Sequence, residues 1–108
     1  MNPPTVTDLI NAMARHQGAA QGVRAELLAA RLRIETRQLR KLISAAREDG
    51  VAICGRPHTG YYMATTPAEL EAACAFLRNR AMHSLRALSR MQRVAMPVLL
   101  GQLLLNQG

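Results

Sequence analysis

Residues 25–64 read AELLAARLRIETRQLRKLISAAREDGVAICGRPHTGYYMA. The order within them decides the fold: two short helices meeting at a tight turn, then a small β-hairpin. The first helix is expected from about Arg24 to Arg31, with Leu27, Leu28 and Leu32 on its apolar side. A brief turn, Arg33-Ile34-Glu35, leads to a second helix over about 36–48. There Leu39, Leu42, Ile43 and Ala46 fall in one narrow arc and face a core, while Arg37, Lys41 and Ser44 fall on the opposite arc at i, i+4 and i+7. Arg40 and Arg47 flank that arc on one side and Gln38 on the other. Gly50 stands where a helix C′ glycine belongs. Val51 to Cys54 and Tyr61 to Ala64 are short apolar runs around Gly55-Arg56-Pro57-His58-Thr59-Gly60, a hairpin signal with a basic tip.

Upstream, Thr5-Val6-Thr7-Asp8 has the form of a capping box, and Val6, Leu9, Ile10 and Met13 follow the spacing of one buried face. Gly18 and Gly22 punctuate the loop that follows. Downstream, Thr66-Pro67-Ala68-Glu69 reads as a helix start: Thr66 caps, Pro67 suits the first helical position and Glu69 reaches back to close a capping box. No breaker follows until Pro97, so a long helix is expected up to there. Along it Leu77, Ala81, Leu85, Leu88, Met91 and Ala95 form a stripe with steps of three and four, and Arg86, Arg90 and Arg93 take the opposite face. No acid follows Glu71, although five arginines do. Beyond Pro97 the chain is again apolar, with Leu99 and Leu103 extending the stripe.

The chain has 108 residues, the length of one domain with an appended element. Its formal net charge is +7, and 13 of its 14 basic residues are arginine, which points to a polyanionic partner. Cys54 and Cys74 form no C-x-x-C pair and lack a nearby pair of histidines, so they read as small buried hydrophobes and not as a zinc site. No cofactor or metal is expected. The opening MNPPTVTD has neither the basic nor the apolar region of a secretion signal, and the apolar tail is too short and interrupted to span a bilayer. The expectation is a cytoplasmic protein that does not cross a membrane. The acids are scattered, no nucleophile–base pattern surrounds His16, His58 or His83, and no phosphate-binding glycine loop is present. No enzyme is expected.

The frame Ile43, Arg47, Gly50, Ile53, Gly60, Tyr61 and Ala64, with Leu27-Leu28-Ala29, Leu32 and Ile34 before it, resembles the winged helix-turn-helix domains of bacterial regulators, notably the N-terminal type of the biotin-operon repressor. Continued into its arginine-rich helix, the chain is similar to small prophage-encoded helix-turn-helix proteins. The resemblance implies a mostly α fold with a small β-hairpin, a winged helix-turn-helix over residues 1–65 and a C-terminal helical dimerisation segment over 66–108. Arg33 departs from the pattern, because such turns usually hold glycine.

The resemblance also implies double-stranded DNA as partner, and the apolar stripe and tail of the long helix favour a homodimer as the binding form. Thr36, Arg37, Gln38 and Lys41 are the base-reading candidates, since arginine takes guanine bidentately and glutamine takes adenine. Arg40, Ser44, Arg47, Arg56 and His58 are the candidates for the DNA backbone. Leu77, Ala81, Leu85, Leu88, Met91, Ala95, Leu99 and Leu103 are the candidates for the dimer interface. The role expected is transcription control in a bacterium or phage. A replication or recombination accessory, and a winged-helix adaptor for an acidic protein, stand as alternatives. The bland readings stay open too: a solvated basic face for the second helix of the pair, and a fold-back or a membrane surface for the long one.

Overall fold

A computed structural model describes the backbone of residues 2–106 and the side chains of residues 2–93. The chain is mostly helical, with one antiparallel two-stranded hairpin and a long final helix. Helix α1 (Val6–Ala12) opens on the expected capping box. The Asp8 carboxylate accepts from the Thr5 amide at 2.8 Å, and Thr5 Oγ1 accepts from the Asp8 amide at 3.3 Å. Leu9 and Met13 are buried, but Ile10, expected on the same face, is exposed. Ile10 lies at the edge of the arc that Leu9, Met13 and the partly buried Val6 define, where the core ends.

A single 3-10 turn (Ala19–Gln21) precedes helix α2 (Ala25–Leu32). Leu28 is buried as expected. Leu27, expected on the apolar side, is 50% exposed, and Ala29 is buried beside Leu28 instead. The turn after α2 depends on Arg33, the one non-glycine described with a left-handed backbone (φ 57°). Its amide donates to the Ala30 carbonyl at 3.1 Å, and the Ile34 amide donates to Ala29 at 3.0 Å. These two bonds satisfy carbonyls that the helix end leaves open. Ile34 then packs on the core beside Ala29.

Helix α3 (Thr36–Glu48) matches its expected bounds. Leu39, Ile43 and Ala46 are fully buried, and Leu42 packs against them at the margin. Gly50 follows with φ 89°, as its C′ position required. The hairpin pairs β1 (Ile53–Arg56) with β2 (Gly60–Met63), two residues later in β1 and one earlier in β2 than expected. The connection is therefore a three-residue turn, Pro57 to Thr59.

The shift has a tertiary cause, because β2 is hydrogen-bonded on both sides. Opposite β1, the Val23 and Tyr61 amides exchange bonds with each other's carbonyls at 2.8 and 2.7 Å. The Gly18 amide donates to Met63 and the Met63 amide donates to His16, both at 2.8 Å. Gly60 is drawn in so closely that a Cβ there would lie 2.3 Å from the Val23 carbonyl oxygen. Pairing with residues 16–23, and not the hairpin alone, sets where β2 begins.

Helix α4 (Pro67–Asn106) does not stop at Pro97 as expected. A proline removes one helix hydrogen bond and crowds the preceding turn, but intact turns on both sides carry the helix through it. The start of α4 belongs to the same compact unit as the rest, which extends to Cys74; residues from Ala75 onward form a second unit. The boundary between these compact units thus falls inside α4. Glu69 explains why. Its carboxylate accepts from the Thr65 amide at 2.9 Å and hydroxyl at 3.0 Å, and from the Ala19 amide, fifty residues away, at 2.9 Å. The capping glutamate reaches Thr65 where Thr66 was expected, while Thr66 Oγ1 accepts from the Glu69 amide at 3.1 Å. No helix among the described residues is long and apolar enough to cross a membrane.

Candidate nucleic-acid interface

The core-facing arc of α3 leaves its opposite arc to solvent. Arg37, Arg40, Lys41 and Ser44 are all exposed there, and Thr36 is half-buried at the helix start. Glu48 ends the same arc in the last turn, so the basic strip covers the first three turns. The expected cluster is therefore present as an outward-facing array.

Two of its neighbours are committed elsewhere. Gln38 is exposed, but its side-chain Oε1 accepts from the Glu35 amide at 2.9 Å and closes a capping box at the start of α3. Bidentate pairing with adenine uses that same oxygen, so base reading by Gln38 would have to share it with the cap or open the cap. Arg47 is half-buried, and its Nε donates to the Ile53 carbonyl at 3.0 Å, tying α3 to β1. Its Nε is thus committed to the hairpin. The sequence held a signal for Gln38: Glu35-x-x-Gln38 has an acceptor and a glutamine at capping-box spacing.

Arg56 and His58 are exposed at the end of the hairpin, as expected. The strand pair beneath them is sealed. Cys54 and Tyr62 oppose each other in register and are both buried. Burial pushes the Cys54 thiol and the Tyr62 phenol above their usual pKa ranges, so both remain neutral at ordinary pH. Neither is an activated nucleophile. Cys54 fits the expectation of a small buried hydrophobe; Cys74, exposed on α4, does not. Among the described residues no three His, Cys, Asp or Glu side chains are grouped to hold a metal ion.

Two contacts that sequence reasoning missed lie beneath α2. Arg31 Nη1 donates to His16 Nε2 at 2.8 Å, so the ring proton sits on Nδ1, which donates to the Gln21 carbonyl at 2.7 Å. This pair fixes the loop between α1 and α2 and removes Arg31 from any free basic surface. No local pattern signals it, because its partners are brought together only by the fold.

On α4, Leu77, Leu85, Leu88 and Met91 are exposed, Leu85 to 55% and Met91 to 67%. Ala81 is exposed with them. Phe76 and Met82 are exposed too and lie off the stripe, so apolar exposure extends beyond the expected face. Arg80 rests over the Phe76 ring, 5.8 Å from its centre. Ala95, Leu99 and Leu103 lie outside the residues whose side chains are described.

No protein-family model matches the chain, and no curated protein or solved structure matches it.

Proposed function

We propose that the chain is a winged helix-turn-helix protein that binds double-stranded DNA in a sequence-specific manner as a homodimer, and that it acts in transcription control. The observation that carries this reading is the outer arc of α3. Four exposed side chains, Arg37, Arg40, Lys41 and Ser44, form a strip with no carboxylate until Glu48. In this reading α3 enters the major groove, Arg37 and Lys41 meet base edges from its first turns, and Arg40 and Ser44 meet phosphates. Arg56 and His58 at the hairpin tip contact the backbone alongside. The exposed Leu77, Leu85, Leu88 and Met91 support pairing of two chains through α4, because a stripe of this size is a liability when left in water.

The test is selection of bound sequences from a random duplex pool at two salt concentrations, with the wild-type chain and with Arg37→Ala. The expected result is an enriched two-fold symmetric motif, which Arg37→Ala relaxes at one base position with a loss of about 1–3 kcal/mol. Salt-sensitive binding with no motif would refute sequence-specific control and leave a loading or architectural role. Absence of duplex binding at low salt would refute the DNA reading and turn attention to an acidic protein partner.

A further inference from the structure

The long helix carries a second stripe. Asn79, His83, Arg86, Arg90 and Arg93 recur in steps of four, three, four and three, and all five are exposed. On a 3.6-residue helix these positions share one face, opposite Leu77, Ala81, Leu85 and Leu88. Every residue of this stripe offers a hydrogen-bond donor and none is acidic. No carboxylate follows Glu71 in the chain, so the three arginines have no acid three or four residues away on their own helix.

The spacing is costly in isolation. Arg86 and Arg90 stand at i, i+4, and Arg90 and Arg93 at i, i+3. Like charges at these separations destabilise a helix. Alternating acids would have relieved that repulsion, as they do on ordinary solvated helices. A row of external anions relieves it equally well. The helix rise sets Arg86 and Arg93 about 10 Å apart, with Arg90 between them, a spacing that suits successive phosphates of a nucleic-acid strand.

We infer that Arg86, Arg90 and Arg93 form a second polyanion-binding strip that holds the DNA backbone without reading sequence. The inference rests on the DNA reading of α3 and adds a separate surface to it. Arginine suits the task, because its planar fork takes phosphate oxygens bidentately. The apolar stripe on the other side stays available for pairing, so the two faces of one helix divide assembly from contact. His83 and Asn79 extend the donor row toward the start of the helix.

The salt dependence of duplex binding by the full-length protein tests this. Each phosphate neutralised adds about 0.9 to the slope of log K against log salt. Arg86→Gln/Arg90→Gln/Arg93→Gln should make the slope shallower by about 2.7, so that from 50 to 200 mM salt the wild type loses about 40-fold more affinity than the variant. The selected motif should not change, and circular dichroism and sedimentation should show the same helix content and oligomeric state. Replacement of all three by lysine, which keeps the charge, should preserve the wild-type slope. Duplex binding with an identical slope in wild type and glutamine variant would overturn the strip while leaving the α3 reading intact. Loss of slope in the lysine variant as well would overturn it as a structural effect. An unchanged duplex slope, with arginine-dependent binding to phosphatidylserine vesicles, would overturn it in favour of a lipid surface. Absence of any duplex binding by the wild type would instead refute the reading on which it rests.

Discussion

Gly60→Ala should be among the most damaging single-methyl changes in the folded unit, and its cost can be worked from the geometry. Gly60 has φ 74°, where a residue with a Cβ loses about 1–2 kcal/mol. The added methyl would also lie 2.3 and 2.6 Å from the carbonyl oxygen and carbon of Val23, which are backbone atoms and cannot rotate away. To make room, β2 must move off residue 23, and the two bonds between Val23 and Tyr61 must lengthen or break. At about 1 kcal/mol net each, that gives a total of about 3–4 kcal/mol, a large share of the 5–15 kcal/mol typical of a domain. Gly50→Ala is the matched control. Its φ is 89°, but nothing lies within 4 Å of the added methyl, so only the conformational cost of about 1–2 kcal/mol applies. The assay is urea unfolding at fixed protein concentration followed by tyrosine emission. The chain has no tryptophan, and Tyr61 and Tyr62 are its two tyrosines, so the signal reports β2 alone. Gly60→Ala should lower the midpoint well beyond Gly50→Ala at similar m-value. Equal midpoints for the two variants would show that the close approach of β2 to Val23 carries no energy, and the account of the shifted hairpin would fail with it.

Arg33→Gly should be more stable than Arg33→Ala by about 1 kcal/mol, since both lose the arginine side chain and only glycine takes the left-handed position without the Cβ penalty; equal unfolding midpoints for the two variants would contradict this. Glu69 gives a pH dependence of known sign. Hydrogen bonds from the Thr65 and Ala19 amides hold its carboxyl below the usual glutamate range. Its stabilisation is therefore complete above the unfolded value of about 4.3 and is lost as pH falls through the lower folded value. Wild type should thus be more stable than Glu69→Ala at pH 6, and the gap should shrink in acid; a gap that widened below pH 4 would refute the assignment. Leu85→Glu with Leu88→Glu should dissociate a pair of chains without lowering the tyrosine-reported midpoint at low concentration, as read by sedimentation. A monomeric wild type would remove the basis for that expectation.

Much of this architecture was readable because its signals are local. Thr5 with Asp8, Thr66 with Glu69, and Gly50 announce helix ends through contacts of three or four residues, and the heptad-like spacing of Leu39, Ile43 and Ala46 bounds α3 on its own. What failed to show depends on partners distant in sequence. The hairpin register follows residues 16–23, Leu27 is exposed because Leu28 and Ala29 fill the facing core, and Arg47 is recruited by the Ile53 carbonyl. In the site, Arg37, Arg40, Lys41 and Ser44 could be placed from helical spacing, and the diversion of Gln38 into a cap was legible too, in its three-residue spacing from Glu35; only the recruitment of Arg47 lay beyond local reach. Pro97 misled for a different reason: a proline penalty is finite, and a long helix absorbs it.

The double-sided bonding of β2 has a bearing on recognition. Because the strand is secured along both edges and Thr59 is packed against Gly22, the turn has only two exposed residues, Pro57 and His58. A partner that meets Arg56 finds its backbone already paired with Gly60, and His58 is followed by Thr59, whose carbonyl lies close against Gly22, so little backbone freedom is left to freeze. The entropy lost on contact is correspondingly small, so even a weak electrostatic touch by two side chains can register in the binding free energy. A hairpin anchored on one side alone would spend that touch on ordering itself.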